Sequence, residues 1–77
     1  MNRREREKSE ILHMQVRLFR LACKKWHMDA DACADIFDRY QIDALIRELY
    51  GLFHVQGDEA NMAELEEYLE ARGVRLS

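Results

Sequence analysis

Apolar residues recur at intervals of three and four over most of the chain, which is the spacing of one face of an α-helix. The clearest run is residues 42–58, where one flank carries Ile42, Leu45, Ile46, Leu49, Tyr50 and Phe53. Gly57 lies near its end, and glycine readily adopts the positive φ angle at which many helices stop. We therefore predict one helix from Ile42 toward Gly57, with the other segments packed around it.

The N-terminal third predicts a single long helix from about Arg3 to His27. Its apolar residues cover more than half of the circumference, and they comprise Ile11, Leu12, Val16, Phe19, Ala22, Cys23 and Trp26, extended by Met14, Leu18 and Leu21. Either neighbouring helices cover this arc on two sides, or part of it binds a partner or a second copy. On the second explanation, Leu18→Glu or Lys25→Glu changes the oligomeric state or partner capture.

Two shorter helices complete the predicted fold. Asp29 can cap a second helix that runs to about Tyr40. Asn61, with Glu64 three positions later, fits a capping box that opens a fourth helix, and Gly73 ends it. The absence of proline from the sequence also favours helices. The prediction is an all-α fold, a small bundle of about four helices with a long N-terminal helix.

Residues 1–77 are predicted to form one helical domain, in which residues 1–8 are frayed or extend the first helix. A domain of this size buries only about 60% of its unfolded surface, so we expect marginal stability unless a partner covers more of it. The charged N-terminus contains no apolar run typical of a signal peptide or a membrane span. We therefore expect a cytoplasmic protein whose two cysteines are free thiols.

Charge is divided unevenly along the chain. Residues 1–27 contain eight Lys or Arg and three Glu, whereas residues 28–77 contain four Arg and twelve Asp or Glu. The cations of the first helix and its end form a narrow stripe opposite the apolar arc: Arg6, His13, Arg17, Arg20, Lys24 and His27. Such a stripe is usually solvated, but it can also bind an acidic protein surface or nucleic-acid phosphates. Glu64, Glu66, Glu67 and Glu70 of the last helix complement it, within the monomer or across a dimer.

The residues give little support for catalysis or for a bound cofactor. Threonine is absent, the two serines lie near the termini, and no glycine-rich phosphate loop is present. Cys23 and His27 lie one helical turn apart, and the other residues that can join them at a metal are Cys33, His13 and His54. Structural zinc sites usually contain closely spaced cysteine pairs, which this chain lacks. We predict no catalytic residues, no metal, no cofactor and no small-molecule substrate.

Residues 49–58 and 65–69 resemble the C-terminal signature of a family of short bacterial helical proteins that is known as a domain of unknown function. Its members have an Ile-Phe-x-x-Tyr segment (here Ile36, Phe37 and Tyr40) and then Tyr-x-x-x-His-x-x-Gly (here Tyr50, His54 and Gly57). Gly51 departs from the polar helix-forming residue expected at its position. Such proteins are often encoded beside ADP-ribosyltransferase-like proteins. The resemblance therefore implies that this chain is the regulatory or antitoxin-like partner of a neighbouring protein.

Two functions follow from these observations. The first is a non-enzymatic protein–protein interaction module that binds a protein partner or a second copy. The alternative is a nucleic-acid-binding regulator in which the second and third helices form a helix-turn-helix. A recognition helix there has Arg47 as its one cation, beside Asp43 and Glu48, which suits a phosphate surface poorly. We therefore expect a protein partner rather than nucleic acid or a membrane.

Overall fold

Five α-helices make up the regular structure of residues 2–76, the part of the chain that the computed structural model describes. They are α1 (Arg3–Lys25), α2 (Ala30–Arg39), α3 (Ile42–Glu48), α4 (Tyr50–Phe53) and α5 (Asp58–Glu70). The prediction of an all-α fold with a long N-terminal helix is confirmed. The fifth helix arises because the predicted third helix is divided in two. Met1 and Ser77, at the ends of the predicted domain, lie outside the described residues.

The long helix α1 is the element against which the others pack. Its 23 residues extend about 34 Å at 1.5 Å per residue, and the longest dimension of the fold is 40 Å. Helices α2, α3 and α5 all contact it. The prediction that the chain is organised around the helix that begins at Ile42 holds only in part, because α3 contacts α1, α2 and α4 whereas α5 packs against α1.

The first turns of α1 extend away from the core. The Asn2 side chain accepts a hydrogen bond from the Glu5 amide at 2.9 Å, which caps one of the unpaired N–H groups at the helix start. Residues 2–8 are exposed. Residues 3–8 are therefore helical and solvated, within the segment 1–8 that the sequence predicts to be frayed or an extension.

The buried face of α1 recurs at steps of four and consists of Met14, Leu18, Ala22 and, just after the helix, Trp26. This face lies to one side of the predicted apolar flank. Leu12 and Val16, which the sequence places on that flank, are 58% and 42% exposed. Leu18 is fully buried, so a glutamate there would place a charge in the core. Leu18→Glu is therefore not a test of association.

One hydrophobic core joins the remaining helices to this face. Its fully or almost fully buried members outside α1 are Cys33, Phe37, Ile42, Ile46, Phe53, Met62, Leu65, Leu69 and Leu76. The Phe19 and Phe37 rings meet edge to face, with centroids 5.1 Å apart, which is a favourable aromatic geometry. This contact fixes α2 against the middle of α1.

The predicted helix from Ile42 is interrupted at Leu49, which has φ −96° and ψ 9° and lies between α3 and α4. Periodicity does not reveal the break because Ile46 and Phe53, on either side of it, are both buried. The prediction that Gly57 ends this helix with a positive φ is also wrong. Its φ is −74°, and it is the N-cap of α5. Helix α5 therefore begins at Asp58, and Asn61 is inside the helix rather than its cap.

Local capping signals elsewhere agree with the sequence. The Asp29 side chain accepts a hydrogen bond from the Ala32 amide at 2.8 Å, as predicted for the start of α2. Gly73 has φ +85°, and the Val74 amide donates to the Leu69 carbonyl at 3.1 Å, so Gly73 stops α5 as predicted. His27 and Gln41 also have positive φ angles, of 54° and 55°, and turn the chain after α1 and α2.

Gly51→Ala is expected to raise the free energy of unfolding by about 1 kcal/mol, because alanine is the better helix former. Within residues 2–76, a Cβ at position 51 meets no atom within 4 Å, so no steric cost offsets the gain. Urea unfolding measures the effect. Gly73→Ala is the matched control and should lower the free energy by about 1 kcal/mol through its positive φ. Destabilisation by Gly51→Ala would contradict the structure of α4.

Candidate interaction surface

Five of the six residues of the predicted basic stripe lie on exposed positions of α1: Arg6, His13, Arg17, Arg20 and Lys24. The sixth, His27, lies beyond the end of the helix. Helix α1 ends at Lys25, and the left-handed conformation of His27 turns the chain toward α2. The helical spacing that placed His27 on the stripe no longer applies beyond the helix end.

Arg17 pairs within the chain with Asp58, the first residue of α5. Its Nε lies 3.0 Å from Asp58 Oδ2, and its Nη2 lies 3.1 Å from Asp58 Oδ1. The two side chains are 49% and 39% exposed, so the pair contributes about 1 kcal/mol at most. Its geometric effect is to fix the start of α5 against α1. Arg17 is therefore already neutralised and is not a free cation of the stripe.

A second polar contact joins the end of α1 to α5 at Glu66. Lys25 Nζ lies 3.1 Å from Glu66 Oε1, and the Trp26 indole N–H donates to Glu66 Oε2 at 2.9 Å. Of the four glutamates predicted to complement the basic stripe, Glu66 is the one that is ion-paired within residues 2–76, and its partner Lys25 lies outside that stripe. Arg17 of the stripe instead pairs with Asp58, which the prediction did not include. The ion pairs among residues 2–76 are these two and Arg39–Asp35. In that part of the chain, the remaining acids of α5 are not ion-paired: Glu59, Glu64, Glu67 and Glu70.

Arg20 and Lys24 thus have no acidic partner within the described residues, and they lie beside exposed apolar side chains. Leu12 and Val16 occupy the adjacent strip of α1, between these cations and α2. We call Arg20 and Lys24 the basic edge of this surface. A carbon-rich strip beside unpaired charges is typical of surfaces that bind other proteins.

A groove of about 340 Å³ separates α1 from α2 and the start of α3. We call it the α1–α2 groove; its walls and rim are Leu12, Gln15, Val16, Phe19, Ala34, Phe37, Asp38, Gln41, Asp43 and Ala44. The Gln15 amide donates to the Asp43 carbonyl at 2.8 Å across it. Asp38 and Asp43 give the far side of the groove a negative rim, which we call the acidic edge. Burial raises the pKa of Asp43, and the nearby Arg47 partly opposes that rise.

Tyr50 and His54 form a second cluster, on the opposite side of the basic stripe from the groove. The Tyr50 hydroxyl donates to Glu10 Oε2 at 2.7 Å, and the two aromatic rings stack with centroids 5.2 Å apart. The hydrogen bond to Glu10 raises the pKa of Tyr50, with smaller contributions from burial and from the charges of Glu10 and Glu7. His54 Nδ1 lies 3.3 Å from the Tyr50 carbonyl, where it can help to close α4.

The cleft beside this cluster has a volume of about 410 Å³ and brings the predicted signature and the basic stripe together. His13 and Arg17 line it with Tyr50 and His54. Gly57, the third signature residue, lies at the N-cap of α5. Sequence spacing placed the three residues in one motif, but the approach of Tyr50 and His54 to the first helix requires the fold.

The two cysteines meet between α1 and α2 as free thiols. Burial, followed by the hydrogen bond and charge of Cys23, raises the pKa of Cys33 to about 12. These thiols are also the candidate metal ligands that the sequence offers, together with His13, His27 and His54. Among residues 2–76, no three His, Cys, Asp or Glu side chains come together in a group suited to a metal ion. The histidines lie elsewhere, with His13 and His54 beside Tyr50.

The raised pKa of the Cys33 thiol predicts how the free energy of unfolding changes at high pH. Its pKa is about 12 in the folded chain against 9.0 for an ordinary cysteine, so its contribution to stability is fully present below about pH 9 and is lost as the pH rises toward 12. Urea unfolding at pH 8 and pH 11 should show a smaller loss for Cys33→Ala than for the wild type. Cys23→Ala is the control and should keep most of the loss, because burial is the largest cause. Equal losses in all three proteins would contradict the prediction.

Asn61 is an important residue that we predicted wrongly, as a helix cap. It is fully buried; its amide donates to the Phe53 carbonyl at 3.0 Å, and its Oδ1 accepts from the Gln56 amide at 2.8 Å. These bonds tie the end of α4 to α5. The sequence contained the signal, because Asn61, Leu65 and Leu69 follow each other at steps of four, so Asn61 shares the buried face of the helix.

These features define a small all-helical protein with a mixed apolar and charged surface on its longest helix. The chain belongs to the family described as "Protein of unknown function (DUF3791)", whose family model matches residues 13–72. This confirms membership of a domain-of-unknown-function family, as expected from the resemblance. No curated protein and no solved structure gives a significant match. Within residues 2–76, none of the helices is both long enough and apolar enough to span a bilayer.

Proposed function

We propose that this chain is a non-enzymatic protein–protein interaction module and that its binding surface is the exposed side of α1. The observation that carries the proposal is the position of Leu12 and Val16, exposed by 58% and 42%, next to the basic edge. Burying these apolar side chains against another protein is favourable. The adjacent cations can then pair with carboxylates of that protein and define its orientation.

Binding is favoured over catalysis by where the titratable groups with shifted pKa values lie. Cys33 lies in the core, Asp43 lies at the start of α3, and Tyr50 lies against Glu10. Catalytic acids, bases and nucleophiles with shifted pKa values usually occupy one cleft. Three groups in three places, each explained by burial or by one hydrogen bond, support a structural role for each.

The family resemblance extends the proposal to a particular role. A small chain encoded beside an ADP-ribosyltransferase-like protein would act as its regulatory or antitoxin-like partner in the cytoplasm. Tyr50 and His54 of the signature would then contribute to binding through the cleft that they line together with His13 and Arg17. This part of the proposal rests on family association, whereas the binding surface rests on exposure and charge.

Co-purification with the product of the neighbouring gene tests the proposal. The wild-type chain should be captured by that product, and the double substitution Arg20→Glu and Lys24→Glu should weaken capture at least about tenfold through like-charge repulsion. Arg75→Glu, an exposed cation outside the surface, is the matched control and should be captured normally. Circular dichroism should show unchanged helicity in both variants.

Two outcomes would overturn this proposal. If neither the neighbouring product nor a second copy binds the chain, the surface has no protein partner. If the chain instead retains duplex DNA at moderate salt and loses it with the Arg20→Glu and Lys24→Glu variant, the nucleic-acid alternative replaces it. In α3, which would be the recognition helix of that alternative, Arg47 lies in a segment of seven residues with Asp43 and Glu48.

A further inference from the structure

We propose that a second copy of this chain occupies the α1–α2 groove and forms a two-fold dimer in which the two α1 helices run parallel. This inference rests on the proposed function and names the partner for the same surface. In the dimer, the ridge of Leu12 and Val16 from each copy packs into the groove of the other. The basic edge of each copy faces the acidic edge of its partner.

The apolar part of the surface has the shape that self-association needs. Leu12 and Val16 stand beside a groove whose floor includes Phe19 and Phe37, already in edge-to-face contact. A ridge directly beside a groove is complementary to itself, because a rotated copy presents its ridge to the groove and its groove to the ridge. This arrangement removes from water the apolar area that Leu12 and Val16 expose in the monomer.

The charges are ordered across this surface in a way that also complements itself. At about 100° per residue, Arg20 and Lys24 lie on the side of Val16 that faces away from α2. Asp38 and Asp43 line the opposite side of the groove. The order across the surface is therefore basic, apolar and acidic. No side chain of residues 2–76 neutralises Arg20, Lys24 or Asp38 in an ion pair.

The charge order selects the direction of the two-fold axis. A two-fold axis parallel to α1 reverses the order of the basic and acidic edges between the two copies. The basic edge of each copy then meets the acidic edge of the other. If the axis runs across α1, the helices become antiparallel and each basic edge meets the other basic edge. Like charges in contact are unfavourable, so the parallel arrangement is the one that the surface supports.

The positions along α1 agree with this pairing. Phe19 contacts Phe37, the neighbour of Asp38, and Gln15 donates to the Asp43 carbonyl. Asp38 and Asp43 therefore lie alongside residues 15–19 of α1. Arg20 is within about one helical turn of that level, or about 5 Å, which a long arginine side chain can span. The principal pair across the dimer is Arg20 of one copy with Asp38 of the other.

Light scattering over a range of concentrations measures the first consequence. The wild-type chain should approach twice its 9.2 kDa mass as its concentration rises, and added salt should favour the monomer because the edge charges are screened. Val16→Glu should remain helical and monomeric. Val55→Glu is the matched control, since Val55 is also exposed, at 71%, but lies in the turn after α4; it should still dimerise.

A charge exchange tests the predicted pairing directly. Arg20→Glu alone and Asp38→Arg alone should each dissociate at least about tenfold more readily than the wild type, because each homodimer brings like charges together. An equimolar mixture of the two variants should form a heterodimer of near wild-type affinity, because both contacts then join opposite charges.

The inference is overturned if the wild type stays monomeric at high concentration, or if the mixture does not associate. It is also overturned if Arg20→Glu strengthens the dimer, which would indicate antiparallel helices. Capture of the neighbouring gene product by a chain that is monomeric at every concentration would overturn the dimer and leave the proposed function standing. If the chain neither dimerises nor captures the neighbouring gene product, both proposals are overturned.

Discussion

Leu18→Ala is expected to lower the free energy of unfolding by about 2–5 kcal/mol, the range for a leucine truncated in a packed core. Leu18 is fully buried on α1, the helix that contacts α2, α3 and α5. The lost methyl groups remove buried apolar surface and leave a cavity among all these contacts. Small domains have total stabilities of roughly 5–15 kcal/mol, so this single change should remove a large share of the free energy of unfolding. Urea unfolding followed by circular dichroism measures it.

Leu12→Ala is the matched control for this prediction. Both substitutions replace leucine by alanine inside α1, so the change in helix propensity is the same. Leu12 is 58% exposed, and its truncation should change the free energy of unfolding by no more than about 0.5 kcal/mol. The comparison is made at low protein concentration, where association does not contribute. Equal losses at the two positions would mean that the buried face of α1 is misassigned.

Asn61→Ala is expected to cost about 1–3 kcal/mol, the penalty for leaving a buried polar group without its partner. The Asn61 amide donates to the Phe53 carbonyl at 3.0 Å, and Phe53 is the last residue of α4. Carbonyls at a helix end have no partner within the helix. Without Asn61, this carbonyl loses its hydrogen bond in the core, and the junction between α4 and α5 loosens.

Gln56→Ala separates this effect from the loss of any side chain nearby. It removes the bond from Gln56 to Asn61 Oδ1 but leaves the Phe53 carbonyl paired. Gln56 is only partly buried, so the space that its side chain vacates admits water to Asn61 Oδ1. The loss should therefore be about 0.5–1.5 kcal/mol, the net value of an ordinary hydrogen bond. An Asn61→Ala loss no greater than that of Gln56→Ala would show that the Phe53 contact contributes little to stability.

The candidate surface was only partly predictable because pairing within the chain depends on where α5 packs. Charge and spacing identified the exposed cations of α1, including Arg17 and Arg20. They did not show that Arg17 is bound to Asp58 while Arg20 has no acidic partner among residues 2–76. The α1–α2 groove was also invisible, because its two sides come from residues at least 15 positions apart.

The sequence by itself determined the features that depend on neighbours within a few residues. These are the all-helical class, the long first helix, the Asp29 cap and the end of α5 at Gly73. Such features follow from hydrogen bonds and side-chain spacing over one or two turns. The local signal was sufficient there because no distant residue competes with it.

Only the tertiary structure decided which part of each apolar arc is buried. The arc of α1 covers more than half of the helix, so periodicity permits several buried faces, and the packing of α2, α3 and α5 selects the one that contains Leu18. The same packing leaves Leu12 and Val16 exposed. Burial is decided by contacts between distant segments, and the spacing of residues along one helix does not encode them.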